Sequence, residues 1–122
     1  MQNWTNWFEI PAPDLERAKA FYEAIFQMEI TILDMGVFKM GLFPQSEVGA
    51  ALCHHPTAYL PSETQGVLVY LNANPDLAEV LNRVGTAGGK IIQPKTLIAP
   101  DMGYMALFVD SEGNRLGLRS KG

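Results

Sequence analysis

The string Pro-Asp-Leu occurs twice, at Pro13-Asp14-Leu15 and at Pro75-Asp76-Leu77, 62 positions apart. Each copy stands at the same point of a repeating order: an apolar run before it, a helical pattern after it, then three apolar-rich segments. A repeated helix-start signal inside a repeated element order commits the chain to a duplicated architecture, in which neither half buries its apolar face alone.

In the first half, Asn6 to Pro11 is rich in aromatic and β-branched residues. It ends at Pro11 and Pro13, which lack backbone donors and force an extended exit, so it reads as a strand. Asp14 is an N-cap residue, and Leu15, Ala18, Phe21, Tyr22 and Ile25 recur at helical spacing, which predicts a helix from Leu15 to Phe26. Glu29 to Leu33, Val37 to Phe43 and Val48 to His54 read as three strands, parted by turn residues at Asp34 to Gly36 and Pro44 to Glu47. The stretch from His55 to Gly66 has prolines and no periodicity.

The pattern then restarts. Gly66 to Leu71 predicts a strand, Pro75 and Asp76 open a helix along Leu77, Val80, Leu81 and Val84, and Gly88-Gly89 stops it. Strands are expected at Lys90 to Ile98, Tyr104 to Val109 and Arg115 to Leu118, with Asp110 to Asn114 as a turn in which Gly113 or Asn114 takes positive φ. The expectation is one α+β domain over 1–122: module one at about 4–55, a connector at 56–65 and module two at about 66–120.

Composition narrows the function. With 48% apolar and 18% charged residues the chain is globular rather than disordered, and a net charge of −4 with pI near 5.0 repels phosphate backbones and anionic lipid. Nucleic-acid and membrane roles are not expected. No apolar run reaches the roughly 20 residues that span a bilayer. The N-terminal MQNWTNWFEI lacks the basic start of a signal peptide, so the expected location is cytoplasmic. The single Cys53 cannot form an internal disulfide and reads as a small core residue.

The run from Phe8-Glu9-Ile10-Pro11 through Asp14-Leu15 to Phe21-Tyr22 resembles the opening of vicinal-oxygen-chelate domains, the glyoxalase, bleomycin-resistance and dioxygenase family. Gly88-Gly89-Lys90 and Asp110-Ser111-Glu112-Gly113-Asn114-Arg115-Leu116-Gly117-Leu118 resemble the second module's helix end and closing motif, where Pro is commoner than Ser111. The most similar subgroup is the short bacterial proteins related to lactoylglutathione lyase. The resemblance implies two tandem βαβββ modules whose curved mixed sheet surrounds a cavity, usually completed by dimerisation, and a divalent metal held there by His, Glu or Gln to polarise substrate oxygens.

Carried over by position, the first ligand lies seven residues before the Asp of the Asp-Leu turn, at Trp7, and its repeat at the 62-residue offset is Val69. The last lies three residues after Asn114, at Gly117, and the same offset puts the remaining one near His55 or His54. Indole, valine and glycine side chains offer no metal donor, and a lone imidazole cannot hold zinc or a metal that wants more ligands. No metal or other cofactor is therefore expected.

Glu9 shares a sheet face with Trp7 and is the candidate acid or base, on the expectation that an apolar cavity raises its pKa. Asp110 and Glu112 read as turn residues serving hydrogen bonding and solubility. Trp7, Glu9, Phe38, His55, Val69, Tyr104 and Phe108 are the candidate cavity residues, with 96–104 as a lip carrying Met102. The expected function is small-molecule binding by a homodimer, with a small apolar or aromatic ligand. The alternatives are a lyase or isomerase using Glu9, and a structural or regulatory dimer without ligand. Dioxygenase chemistry is nearly excluded by the missing ligands.

Overall fold

The computed structural model describes residues 3–122. Met1 and Gln2, with which the expected domain begins, lie outside it. The element order is β1 (Trp7–Pro11), α1 (Leu15–Phe26), β2 (Thr31–Met35), β3 (Phe38–Leu42), β4 (Gly49–His54), then β5 (Tyr70–Asn72), α2 (Leu77–Ala87), β6 (Lys90–Ala99), β7 (Gly103–Val109) and β8 (Arg115–Ser120). βαβββ is thus written twice. The strands form two four-stranded sheets, β1-β4-β3-β2 and β5-β8-β7-β6, each mixed because its first strand pairs parallel with its last.

Both helices form where capping chemistry directs them. Asp14 Oδ1 accepts from Arg17 N at 3.1 Å, and Asp76 Oδ1 accepts from Ala78 N at 2.9 Å, satisfying amides that a first turn leaves without partners. Gly88 ends α2 at φ 111°, a left-handed conformation that costs glycine nothing; Gln27 ends α1 at φ 52°.

Strand alternation divides each sheet. Ile10, Leu52, Leu71, Leu116 and Leu118 face the helices and join Leu15, Phe21, Tyr22, Ile25, Leu77, Leu81 and Val84 in one core. Burying such side chains stabilises the fold by about 1.5–3 kcal/mol each. The helices pack on each other as well as on their sheets, so the halves lie side by side and share one helical layer.

A polar clamp reinforces that joint. The β7–β8 turn, with Gly113 at φ 90°, reaches from module two into module one. Glu112, 6% exposed, accepts from Asp14 N at 2.7 Å and from Arg17 Nε at 2.6 Å. Asp110, 3% exposed, accepts from Tyr22 Oη at 2.7 Å, and Asn114 Nδ2 donates to Pro11 O at 2.7 Å. Asp110 and Glu112 are therefore inter-module ligands of the backbone and of α1, rather than residues serving solubility.

The fifth strand is shorter than the apolar run Gly66 to Leu71 predicts. Gly66 takes φ 90° and Val67 is 89% exposed, so the chain joins the ladder only at Tyr70. In module one, Asp34 belongs to β2, and the turn lies at Gly36, whose amide donates to Asp34 Oδ1 at 2.8 Å; Val37 is an exposed turn residue.

Candidate functional site on the concave face

The face opposite the helices is fixed by the register. Trp7 pairs with Gly49, Glu9 with Ala51 and Pro11 with Cys53 in module one. Tyr70 pairs with Gly117 and Asn72 with Arg119 in module two. These residues alternate with the core positions, so their side chains stand on the concave face.

The two modules meet this face with one motif. A Cβ added to Gly49 would run into the six-membered ring of Trp7, and a Cβ added to Gly117 would run into the ring of Tyr70. Each glycine is bare because a side chain there would collide with the neighbouring strand's aromatic ring: the face of the Tyr70 ring covers Gly117, whereas the six-membered edge of the Trp7 indole abuts Gly49. Trp7 and Tyr70 are each 43% exposed. The result is an aromatic–glycine pair in each module, each built on a parallel strand pair.

This register corrects two sequence expectations. Gly117 N donates to Val69 O just as Gly49 N donates to Asn6 O, so Val69 is the counterpart of Asn6, and Tyr70 is that of Trp7. Trp7 precedes Asp14 by seven residues, but Tyr70 precedes Asp76 by six, and a one-residue slip turns a strand's side chains to the other face. Val69 packs against the core and touches the concave side only at a small cavity of about 160 Å³, shared with Glu9 beneath the connector. Likewise the counterpart of Gly117 is Gly49, not His54 or His55, because module two is longer between its paired strands.

The histidines have other work. His54 Nδ1 is 3.0 Å from Ala12 O, and His55 Nδ1 accepts from Thr57 N and Ala58 N, both at 3.2 Å, closing the turn after β4. His55 is thus a turn residue rather than a cavity wall. Phe108 is also misplaced by the sequence reading: it is fully buried and stacks on Phe21 at 6.1 Å, on the helix side. Tyr104 lies on that same side of β7, packed against the core with Lys95 Nζ 4.5 Å from its ring centre, yet it also lines the groove of module two, as expected of a cavity residue.

Glu9 is on the expected face but in another state. It accepts from Tyr59 Oη at 2.6 Å and from Trp7 Nε1 at 3.1 Å. The Tyr59 hydrogen bond holds its pKa below the usual carboxylate value against the opposing effect of burial. The raised pKa expected of a proton-transfer group is therefore not found. Tyr59, pushed up to about 12 chiefly by its bond to Glu9, also stacks on Phe38 with centroids 5.6 Å apart and 22° between planes. Cys53 lies fully buried beneath this pair, outside the main core, and burial followed by the Glu9 charge pushes its thiol to about 12. The connector residue Tyr59, Tyr70 and Arg119 were not singled out from sequence.

In module two the concave face stays open. A groove of about 710 Å³ lies at the C-terminal ends of β5 and β8, lined by Tyr70, Asn72, Arg119 and Lys121 and walled by the β6–β7 hairpin with Met102. The 96–104 segment thus borders the groove. Arg119 Nε and Nη2 both donate to Met102 O, at 3.3 and 2.9 Å, fastening this hairpin to β8.

The model of the Glyoxalase/Bleomycin resistance protein/Dioxygenase superfamily matches residues 4–118. The chain belongs to this superfamily. Solved structures with the same fold include a hypothetical protein from S. aureus, at TM-score 0.72 and 22% identity, covering 98% of this chain and 95% of that one. Glyoxalase I from Zea mays matches at TM-score 0.71 and 19% identity over 95% of this chain, which spans 45% of the maize chain. An antibiotic binding protein from Streptomyces sp. matches at TM-score 0.67 and 22% identity over 99% and 98%. No curated protein sequence matches.

Enzymes of the superfamily often use a divalent metal; carried through this register, the positions that the resemblance implies for its ligands become Trp7, Gly49, Tyr70 and Gly117. One phenol among an indole and two glycines does not fit a metal centre. Among the described residues no three His, Cys, Asp or Glu side chains gather elsewhere into such a set.

Proposed function

We propose that this superfamily member binds a small planar ligand on its concave face through aromatic contact, without a resident metal, and does so as a homodimer. The observation that carries the reading is the pairing of an exposed aromatic with a glycine on the concave face of each module, Trp7 beside Gly49 and Tyr70 over Gly117. The Tyr70 ring, backed on one face by Gly117, gives a flat apolar surface suited to stacking against a π-face, and Trp7 adds exposed indole surface. A second copy supports the reading because Leu33, Met35, Trp7 and Tyr70 leave apolar surface open on a single chain. No described helix is long and apolar enough to cross a membrane. The cytoplasm remains the proposed location.

The lyase or isomerase reading is weaker, since Glu9 is held as a carboxylate by two donors. The test is a thermal-shift screen of the protein against aromatic and aliphatic compounds of equal size. Aromatic compounds are expected to raise Tm, and Tyr70→Ala and Trp7→Ala to reduce that rise, by mass action on the folded state. No stabilisation by any compound would leave the ligand-free structural dimer.

A further inference from the structure

The two cups are equivalent in backbone and opposite in chemistry. In module one the connector reaches onto the concave face beside Trp7: Tyr59 stacks on Phe38 at 5.6 Å and donates to Glu9 at 2.6 Å, so Glu9 and Phe38 are engaged from within the chain. In module two the groove of about 710 Å³ beside Tyr70 is lined by no connector residue. The position of Glu9 is taken there by the neutral Asn72, and the position of Ala51 by Arg119. Lys121 adds a second cation, against one carboxylate at Asp101. In a chain of net charge −4 this is a local reversal of sign.

Arg119 is held in place for recognition. Its Nε and one Nη2 proton are fixed on Met102 O, it has no carboxylate partner among the described residues, and Nη1 remains free to donate. It stands one alternation along β8 from Gly117, so a ring stacked on Tyr70 brings its substituent towards the guanidinium. Lys95, a cation outside the groove lining, is spent on Asp76 Oδ1 at 2.9 Å and on the Tyr104 ring.

We infer that the module-two groove is the ligand site and that it selects a planar aromatic carboxylate, the ring against Tyr70 and the carboxylate on Arg119. This rests on the small-molecule reading above and adds the site and the charge of the ligand. A carboxylate here forms charge-assisted bonds to a donor already positioned by Met102 O, whereas a neutral or cationic analogue leaves Arg119 without a partner.

The test is calorimetric titration of the whole protein with 2-naphthoate, with neutral 2-naphthalenemethanol and with cationic 2-naphthylmethylammonium. Wild type is expected to bind the acid roughly tenfold or more tightly than the alcohol, the ammonium weakest. Arg119→Gln should abolish the difference between acid and alcohol, Arg119→Lys should keep part of it, and Tyr70→Ala should weaken the acid and the alcohol alike. Thermal melts of each variant check that it is folded. Equal affinities for all three probes in wild type, or an acid preference that survives Arg119→Gln, overturn the inference while leaving small-molecule binding standing. Failure of all three to bind overturns both.

Discussion

Glu9 and Tyr59 set the state of module one through one short hydrogen bond. The lowered pKa of Glu9 means that its bonded carboxylate stabilises the fold above the ordinary value of 4.5, and that this contribution is lost as pH falls through the depressed folded value. Tyr59→Phe removes the donor, so the Glu9 pKa is expected to rise towards 4.5, read by carboxyl chemical shifts during a pH titration. The stability difference between wild type and variant should shrink in the same acid range. Tyr59 works in the other direction: its raised pKa makes the bond fully effective below 10, with loss as pH rises through about 12. Cys53, pushed to about 12, is a poor thiolate under a cover of side chains. A disulfide reagent at pH 8 should label it at a rate set by unfolding, and Tyr59→Ala should accelerate labelling; fast labelling of wild type would show that the cover is open.

Among the elements, the β7–β8 turn has most influence on stability because it joins the halves. Glu112 accepts from both the amide of Asp14 and the guanidinium of Arg17, so Glu112→Ala leaves the Asp14 amide without its acceptor, while the half-exposed Arg17 returns to water. The expected cost is about 1–3 kcal/mol in urea unfolding, with Glu112→Gln milder. Asp110 is different. Burial raises its pKa, so keeping it ionised costs stability as pH rises from the ordinary 3.8 through the folded value. Tyr22, Asn114 and the Glu112 amide all donate to it and offset that cost. Tyr22→Phe deletes one of them and should destabilise by about 1–3 kcal/mol, measured the same way.

Helices were the most legible elements. The spacing of Leu15, Ala18, Phe21, Tyr22 and Ile25 predicts α1 over the residues that form it, because periodicity and an N-cap act locally. The faces of short strands were less legible. β5 has three residues, too few for alternation to reveal which of Val69 and Tyr70 points to the cup, and the answer lies in the pairing of Tyr70 with Gly117. Phe108 shows the same limit, since an aromatic on a strand carries no mark of its side. Tyr59 sits in an aperiodic connector, where only tertiary contact gives it a role.

For the molecule as a whole, a concave face left open on one chain argues for a partner of the same kind. Sedimentation is expected to show a dimer, and charges placed on the exposed apolar residues of that face, Leu33→Glu with Met35→Lys, should favour the monomer without lowering Tm by more than a few degrees. The proposed loss of the metal site can be tested by reversal: Trp7→His, Gly49→Glu, Tyr70→His and Gly117→Glu together should confer near-stoichiometric uptake of zinc or nickel, by elemental analysis, that wild type lacks.

The rings against Gly49 and Gly117 also impose an order on that reconstruction. A glutamate introduced at either glycine first must displace the indole or phenol resting against it, so its clash is paid before any metal can compensate. Removing the aromatic first opens the space and makes the second change tolerable. The two members of each pair are therefore epistatic, and single-residue mutational paths from this protein to a chelating relative run through the aromatic positions before the glycines.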